Sequence, residues 1–389
     1  MDMQNRSNRP EFSVDFDHES LSHALNWPEE FKTLRSRCPL AWTESHGGYW
    51  VASRYQDIVD IAQNSGVFTS HKEFDPATGA VVGGLSIPPM PTPRGIPDET
   101  DPPEWGGFRS FLNRRFAPKA VESRRRRTEQ LTTFLIDRVI EAGKFDIVDD
   151  LTNPLPALST MDLFGLPLGE WREFADPLHR MMYTPKEHPD FLEAVKGWDW
   201  IRTRIEEEIE KRRTNPQDDL LSHLAHGEID NKKLDRATIW SIALNVIIGG
   251  VDTTTALTAN ALMYLSECPD ERRYLIENPD KLPVAREEFV RFFSPIHGLA
   301  RNAAMDAEVQ GRFIGQGERI YLAYASGNRD ESIFHDADEI NVRRFPRFRG
   351  QSLTGDSVAD SRLAFGGSLG RADRRYGRRM GSDRAAAAA

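Results

Sequence analysis

One stretch, Asp235 to Cys268, limits the folds open to this chain more than any other. Asp235 is placed to cap a helix, and Ile239, Trp240, Ile242, Leu244, Val246, Ile247 and Ile248 then make every helical face apolar. A helix without a polar face has to run through a core. Yet the middle of this one reads Gly249-Gly250-Val251-Asp252-Thr253-Thr254. Each glycine costs up to about 1 kcal/mol in helix propensity, and a buried carboxylate is expensive. Such local conflict marks either a functional site or a helix bent to pack something bulky, with Asp252 reaching solvent. Spacing alone leaves both readings open.

Helical periodicity dominates the rest of the chain, over residues 107–116, 122–142, 191–212 and 283–293, with strand-like pieces at 297–303, 306–314 and 319–323. The fold class is mainly α with a small β region. Gly48 to Val67 reads as strand then helix, and Pro and Gly then crowd residues 76–103 into a long loop. Loops of that length inside a compact domain are usually functional, and Leu85, Ile87, Met90 and Ile96 make this one an expected pocket wall.

The 389 residues carry a net charge of −10, which disfavours nucleic acid as a partner and favours a small-molecule enzyme. Cys38 and Cys268 are too few for a disulfide scaffold and lack zinc-site spacing, which points to a reducing cytoplasm. Residues 1–25 form a polar arm without a signal-peptide core, and no stretch approaches about 18 uninterrupted apolar residues, so neither secretion nor membrane insertion is expected. His223 and His226 sit just before Gly227, a helix-end context with no third metal ligand nearby. Arg114, Arg115, Lys119 and Arg124 to Arg127 form a basic cluster on this acidic chain.

Glu288 and Arg291, at i and i+3 in REEFVRFFSP, would by themselves be an ordinary surface pair. Their order relative to other motifs changes that. GGVDTT, then ExxR, then Arg301 in GLARNA, then Gly327-Asn328-Arg329-Asp330, then DADEINVRR ending at Arg344, together resemble the soluble, bacterial-type cytochrome P450 superfamily. Asp101-Pro102-Pro103-Glu104 with FRSFLNRRFAPKAV, and Asp218-Asp219-Leu220-Leu221, extend the resemblance over about residues 30 to 366.

The resemblance implies a single triangular domain over 1–389 binding haem b (iron protoporphyrin IX), whose long helix crosses the distal face. Asp252 and Thr253 would be the acid and alcohol that deliver protons to dioxygen, with Gly249 and Gly250 leaving it room. Glu288, Arg291 and Arg344 would form a buried structural network, tolerable only if every charge is paired. Arg109 and Arg301 would grip the propionates, with Trp105 donating an indole N–H where the family more commonly has histidine. The basic cluster would face a ferredoxin or flavodoxin supplied by its reductase. The implied activity is hydroxylation or epoxidation of a small hydrophobic substrate with O2 and two electrons. Its pocket would be walled by Leu85 to Ile96, Met181 to Pro189, Leu244 to Ile248 and Ile296 to Leu299.

The pattern departs from the family after Gly366. Phe365 opens the FxxGxxxCxG ligand loop, but Ser368, Ala372 and Arg374 stand at the glycine, cysteine and second glycine positions, so residues 367–389 read as an aberrant tail without the axial thiolate. A helix and a closing hairpin are also expected after this loop. Every haem-contacting motif before Gly366 is intact, which favours a frameshifted or misassigned tail over even decay. The alternative is a catalytically inactive relative lacking the thiolate.

Overall fold

The structure, a computed structural model, describes residues 11–75, 77–184 and 188–344, the side chains of 182 and 183 aside. Its residues gather into two compact units, Met1–Thr92 with Tyr264–Ala389, and Pro93–Met263. Helices make up most of the described chain and the β structure is small.

In the unit Pro93–Met263, the apolar stretch forms most of one continuous helix, Arg236–Glu267, of 32 residues. Asp235 caps it as its position suggests, accepting the Thr238 N–H at 2.7 Å. By length and composition this helix could cross a bilayer. Instead Ile239, Ile242, Ala243 and Ile247 are buried in a cluster with Ile201 and Ile205 of helix Pro189–Thr214 and with Leu220 and Leu224 of helix Leu220–Ala225. Gly250 lies against helix Pro154–Phe164 so closely that a Cβ there would stand 2.5 Å from Thr160 Oγ1. Helix Trp171–Tyr183 contains Pro177, whose ring lies where a side chain on Gly197 would otherwise sit. That proline hides the helix from a periodicity reading, since proline normally ends helices.

The other unit is organised by a five-stranded sheet in the order Leu40–Thr43, Tyr49–Ala52, Arg319–Leu322, Leu299–Ala303, Phe68–Thr69. Only the pairing of Tyr49–Ala52 with Arg319–Leu322 is parallel. Ala41, Tyr49 and Val51 join one buried cluster while Leu40, Trp42, Trp50 and Ala52 join another, the period of two that puts alternate side chains on opposite faces. Helices Leu21–Arg37, Tyr55–Gln63, Pro269–Glu277 and Leu282–Phe293 complete this unit. The strand-like stretch 306–314 is a hairpin of Ala307–Val309 with Arg312–Ile314.

Two expectations need correction. The helix expected over 122–142 is divided into Pro118–Ser123 and Arg125–Asp137 with a short 3-10 turn after them, because the chain breaks at Arg124 and reverses at Gly143, whose φ is 66°. The Pro-rich loop is also less a wall than an anchor. Ile87 is buried with Phe31 and Tyr321, Leu85 packs on Leu299, and Ile96 is buried in the cluster around the long helix, leaving Met90 exposed.

Two half-buried histidines make this structure sensitive to acid. Burial, with His23 and Arg329 adding repulsion, pushes the pKa of His297 down to about 3; burial likewise lowers His18 to about 4. In the unfolded chain both would titrate near 6.5. Between those values the unfolded state binds more protons, so stability rises with pH there and is lost as pH falls below about 6.5. We expect His297→Leu to shrink the stability difference between pH 7 and pH 5 by about 2 kcal/mol, read from urea unfolding at both pH values. An unchanged difference would contradict this account.

Candidate functional site

Asp252 sits in the interior of the long helix with only 2% of its surface exposed, so it does not reach solvent directly. Its Oδ1 lies 2.5 Å from Nδ1 of His179, which comes from helix Trp171–Tyr183. The next residue, Thr253, donates its hydroxyl to the Gly249 carbonyl at 2.8 Å, a bond back to position i−4 that holds the oxygen against the helix. Its lone pairs remain free to accept from water. Gly249 and Gly250 therefore do different things. Gly249 presents the carbonyl that Thr253 uses, whereas Gly250 lets the Thr160 helix approach.

The other unit holds a charge network. Glu288, fully buried, is gripped by Arg291, whose Nε and Nη2 donate to Oε2 and Oε1, both at 2.8 Å. Arg344 adds Nε at 3.0 and 3.1 Å to the two oxygens, and the Asn341 N–H donates at 2.8 Å. The remaining guanidinium donors reach carbonyls: Arg291 donates to Asn328, Ala337 and Glu339, and Arg344 to His335, Asp336 and Glu339. One carboxylate between two guanidiniums is thus satisfied on every side.

Trp105 and Arg109 lie one helical turn apart on helix Glu104–Phe116, so they share a face. Both are half-buried. Arg301, half-buried in strand Leu299–Ala303, donates only to the Ala300 carbonyl, at 3.1 Å. Among the described residues neither Arg109 nor Arg301 has a carboxylate partner. Other half-buried arginines do, including Arg204 with Glu170 and Arg212 with Asp219. Each unit thus holds one half-buried guanidinium without an anion, and a ligand carboxylate suits each. Phe365 and Ala372, at the start and the cysteine position of the ligand loop, lie outside the described residues.

The basic cluster is less free than the sequence suggests. Arg115 pairs with Asp218, Arg125 with Glu122, and both Arg124 and Arg127 with Asp162. Nor do His223 and His226 form a metal pair. His223 stacks on Phe111 and bonds its carbonyl, and His226 bonds the Arg212 carbonyl. A cleft of about 360 Å³ beside Pro177 is lined by Arg172, Glu173, Asp176, Arg180 and Glu193 together with Ala194, Gly197 and Trp200. Sequence reasoning missed His179: its helix was hidden by Pro177, and no motif surrounds it.

Comparison with known proteins agrees with this geometry. The model of the family described as Cytochrome P450 matches residues 84–367. Cytochrome P450 130 of Mycobacterium tuberculosis is 29% identical over 339 residues, covering 84% of this chain and 82% of that protein. Linalool 8-monooxygenase of Pseudomonas putida is 29% identical over 331 residues, covering 81% of this chain and 79% of that protein. The crystal structure of substrate-free CYP109E1 from Bacillus megaterium superposes with a TM-score of 0.72 at 26% identity, covering 82% of this chain and 81% of that one. The fold is the one those proteins share.

Removing one member of the Glu288 network strands the others. We expect Glu288→Gln to cost about 3–5 kcal/mol of stability in urea unfolding, because two buried guanidiniums lose their counter-charge. Arg291→Lys should also destabilise, since lysine cannot reproduce the two-pronged grip. A loss below about 1 kcal/mol for Glu288→Gln would mean that the network contributes little.

Proposed function

Because this chain belongs to the cytochrome P450 family, we propose that it hydroxylates or epoxidises a small apolar substrate, with two electrons from a ferredoxin or flavodoxin and its reductase. As a cytochrome P450 monooxygenase it works with haem, dioxygen, a substrate and a redox partner. The observation that carries the finer reading is a carboxylate buried beside an alcohol inside a largely apolar helix. An apolar substrate suits the aliphatic stretch Leu244 to Ile248, and one relative is named for linalool, a small terpenoid. The reading places the enzyme in the cytoplasm as one catalytic domain.

Haem, when bound, supplies the reductive activation of dioxygen that no side chain can perform. Arg109 and Arg301 would hold its propionates, with Trp105 as a further donor. Haem b suits the chain, since its two cysteines lie far apart and make no CxxCH attachment motif. The axial thiolate is the part that does not fit: Ala372 stands at the cysteine position. Asp252 would act as the acid that releases a proton into the apolar interior. Thr253, its own proton directed at the Gly249 carbonyl, would accept a hydrogen bond from water and hold that water in line. Positioned acid catalysis of this type contributes about 10²–10⁴-fold.

Two measurements test this. The dithionite-reduced protein should give the thiolate-type Soret shift with carbon monoxide; a histidine-type band, or no haem, would favour the inactive relative instead. Thr253→Ala should keep that band and divert several-fold more of the consumed electrons into hydrogen peroxide. Unchanged partitioning would remove Thr253 from the proton path.

A further inference from the structure

The unit built on the five-stranded sheet gathers three metal-ligating side chains at one place. Asp17 and His18 precede helix Leu21–Arg37, and His46 lies in the turn Ser45–Gly47 that joins strands Leu40–Thr43 and Tyr49–Ala52. Donor atoms of the three lie within 4.8 Å of one another, and no other such group occurs among the described residues. His46 Nε2 is 2.8 Å from Asp17 Oδ1 and 3.9 Å from Glu19 Oε2. His18 directs Nε2 at the Ile87 carbonyl, 2.7 Å away, and a carbonyl only accepts, so that nitrogen carries the proton. Burial keeps the ring neutral by lowering its pKa to about 4, which leaves Nδ1 a lone pair that accepts the Tyr49 hydroxyl at 2.9 Å. An imidazole N–H anchored on a backbone carbonyl is how metal-ligating histidines are held in one tautomer. The turn adds a second sign. His46 has φ 51° and ψ 32°, in the left-handed region that glycine occupies without strain. Histidine there costs stability and sets its imidazole against Asp17.

We propose that Asp17, His18 and His46 form a binding site for one divalent ion of the zinc class, with Glu19 or a water as the fourth ligand. Two imidazole nitrogens and a carboxylate suit such an ion better than calcium or magnesium, which take oxygen ligands. A tetrahedral ion with bonds of about 2.0–2.1 Å needs donors about 3.3 Å apart, so the three close in by at most about 1.5 Å. The ion takes the place of the hydrogen between His46 Nε2 and Asp17 Oδ1. At His18 it competes with the Tyr49 hydroxyl for Nδ1, and the phenol gives way. Side chains of His46 and Asp17 stay 20% and 34% exposed, so the ion enters from solvent, and the carboxylates of Asp17 and Glu19 together offset its two charges. Bound there, it ties the segment ahead of helix Leu21–Arg37 to the strand turn. The two are already in contact, since the Val14 N–H donates to the Trp42 carbonyl at 2.9 Å and the Thr43 hydroxyl to the Phe16 carbonyl at 2.7 Å.

The test uses the full-length chain, stripped with a chelator and titrated with zinc sulfate. The wild type should bind one ion per chain by calorimetry, its unfolding midpoint should rise by several degrees at saturation, and zinc X-ray absorption should show two imidazoles. Asp17→Asn and His46→Ala should each weaken binding by about tenfold or more. Tyr49→Phe, which frees Nδ1 of His18, should tighten it several-fold. His46→Gly, which relieves the left-handed turn, should fold without zinc yet show no zinc-dependent rise, so that loss of binding is not loss of folding. Absence of binding by the wild type overturns the inference, as does binding left unchanged by Asp17→Asn and His46→Ala alike, the result for an ion on scattered surface histidines. Weaker binding in a folded Tyr49→Phe chain removes His18 from the ligand set and overturns the site as well. None of these readouts involves haem, dioxygen or electrons, so they stand apart from the monooxygenase reading.

Discussion

The Glu288 carboxylate is the interaction on which its unit most depends. A charge with no exposed surface is tolerable only when every lone pair is matched, and here Arg291, Arg344 and the Asn341 N–H do the matching. The consequence reaches past the ion pairs. The guanidinium protons left over take carbonyls of Asn328, His335, Asp336, Ala337 and Glu339, so an irregular segment without strand or long helix acquires a fixed course. Arg329, lying over Trp27 and Phe292, and Arg35, bonded to Glu331 and Ser326, fasten the same segment from other sides.

Asp252 presents the opposite arrangement. Its surroundings are aliphatic and its partner is one histidine instead of two arginines. A carboxylate locked between two guanidiniums serves architecture, whereas neither oxygen of the Asp252 carboxylate accepts a hydrogen bond among the described residues.

Much of this was legible in the sequence. The all-apolar run with an internal Asp-Thr announced both the core helix and the site, because a helix cannot otherwise carry that conflict. Glu288 and Arg291 were legible only through their order among other motifs, since a lone i,i+3 pair has no distinguishing property. What stayed hidden has physical causes. Helices Leu21–Arg37 and Trp171–Tyr183 contain Pro28 and Pro177, which local rules treat as breaks but which tertiary packing tolerates. Gly250 looked like space for a ligand because a sequence does not reveal that Thr160 will approach it. His179 could not be paired with Asp252 in advance, because 73 positions separate them and only folding brings them together.

The internal pairing of the basic cluster also changes how this surface speaks to its surroundings. Asp162 neutralises parts of both Arg124 and Arg127, and Asp218 and Glu122 do the same for Arg115 and Arg125. Among the described residues this leaves Arg114, Lys119 and Arg126 without a carboxylate partner. Paired charges project dipoles, whose potential falls off faster than that of single charges, and at physiological salt even single charges are screened over about 8 Å. With one carboxylate shared by two arginines and three further cations unpaired, the patch stays positive on a chain whose net charge is negative. An acidic protein approaching it would meet a positive field that pairing and salt shorten, so discrimination between partners draws on the fit of the surfaces as well as on steering.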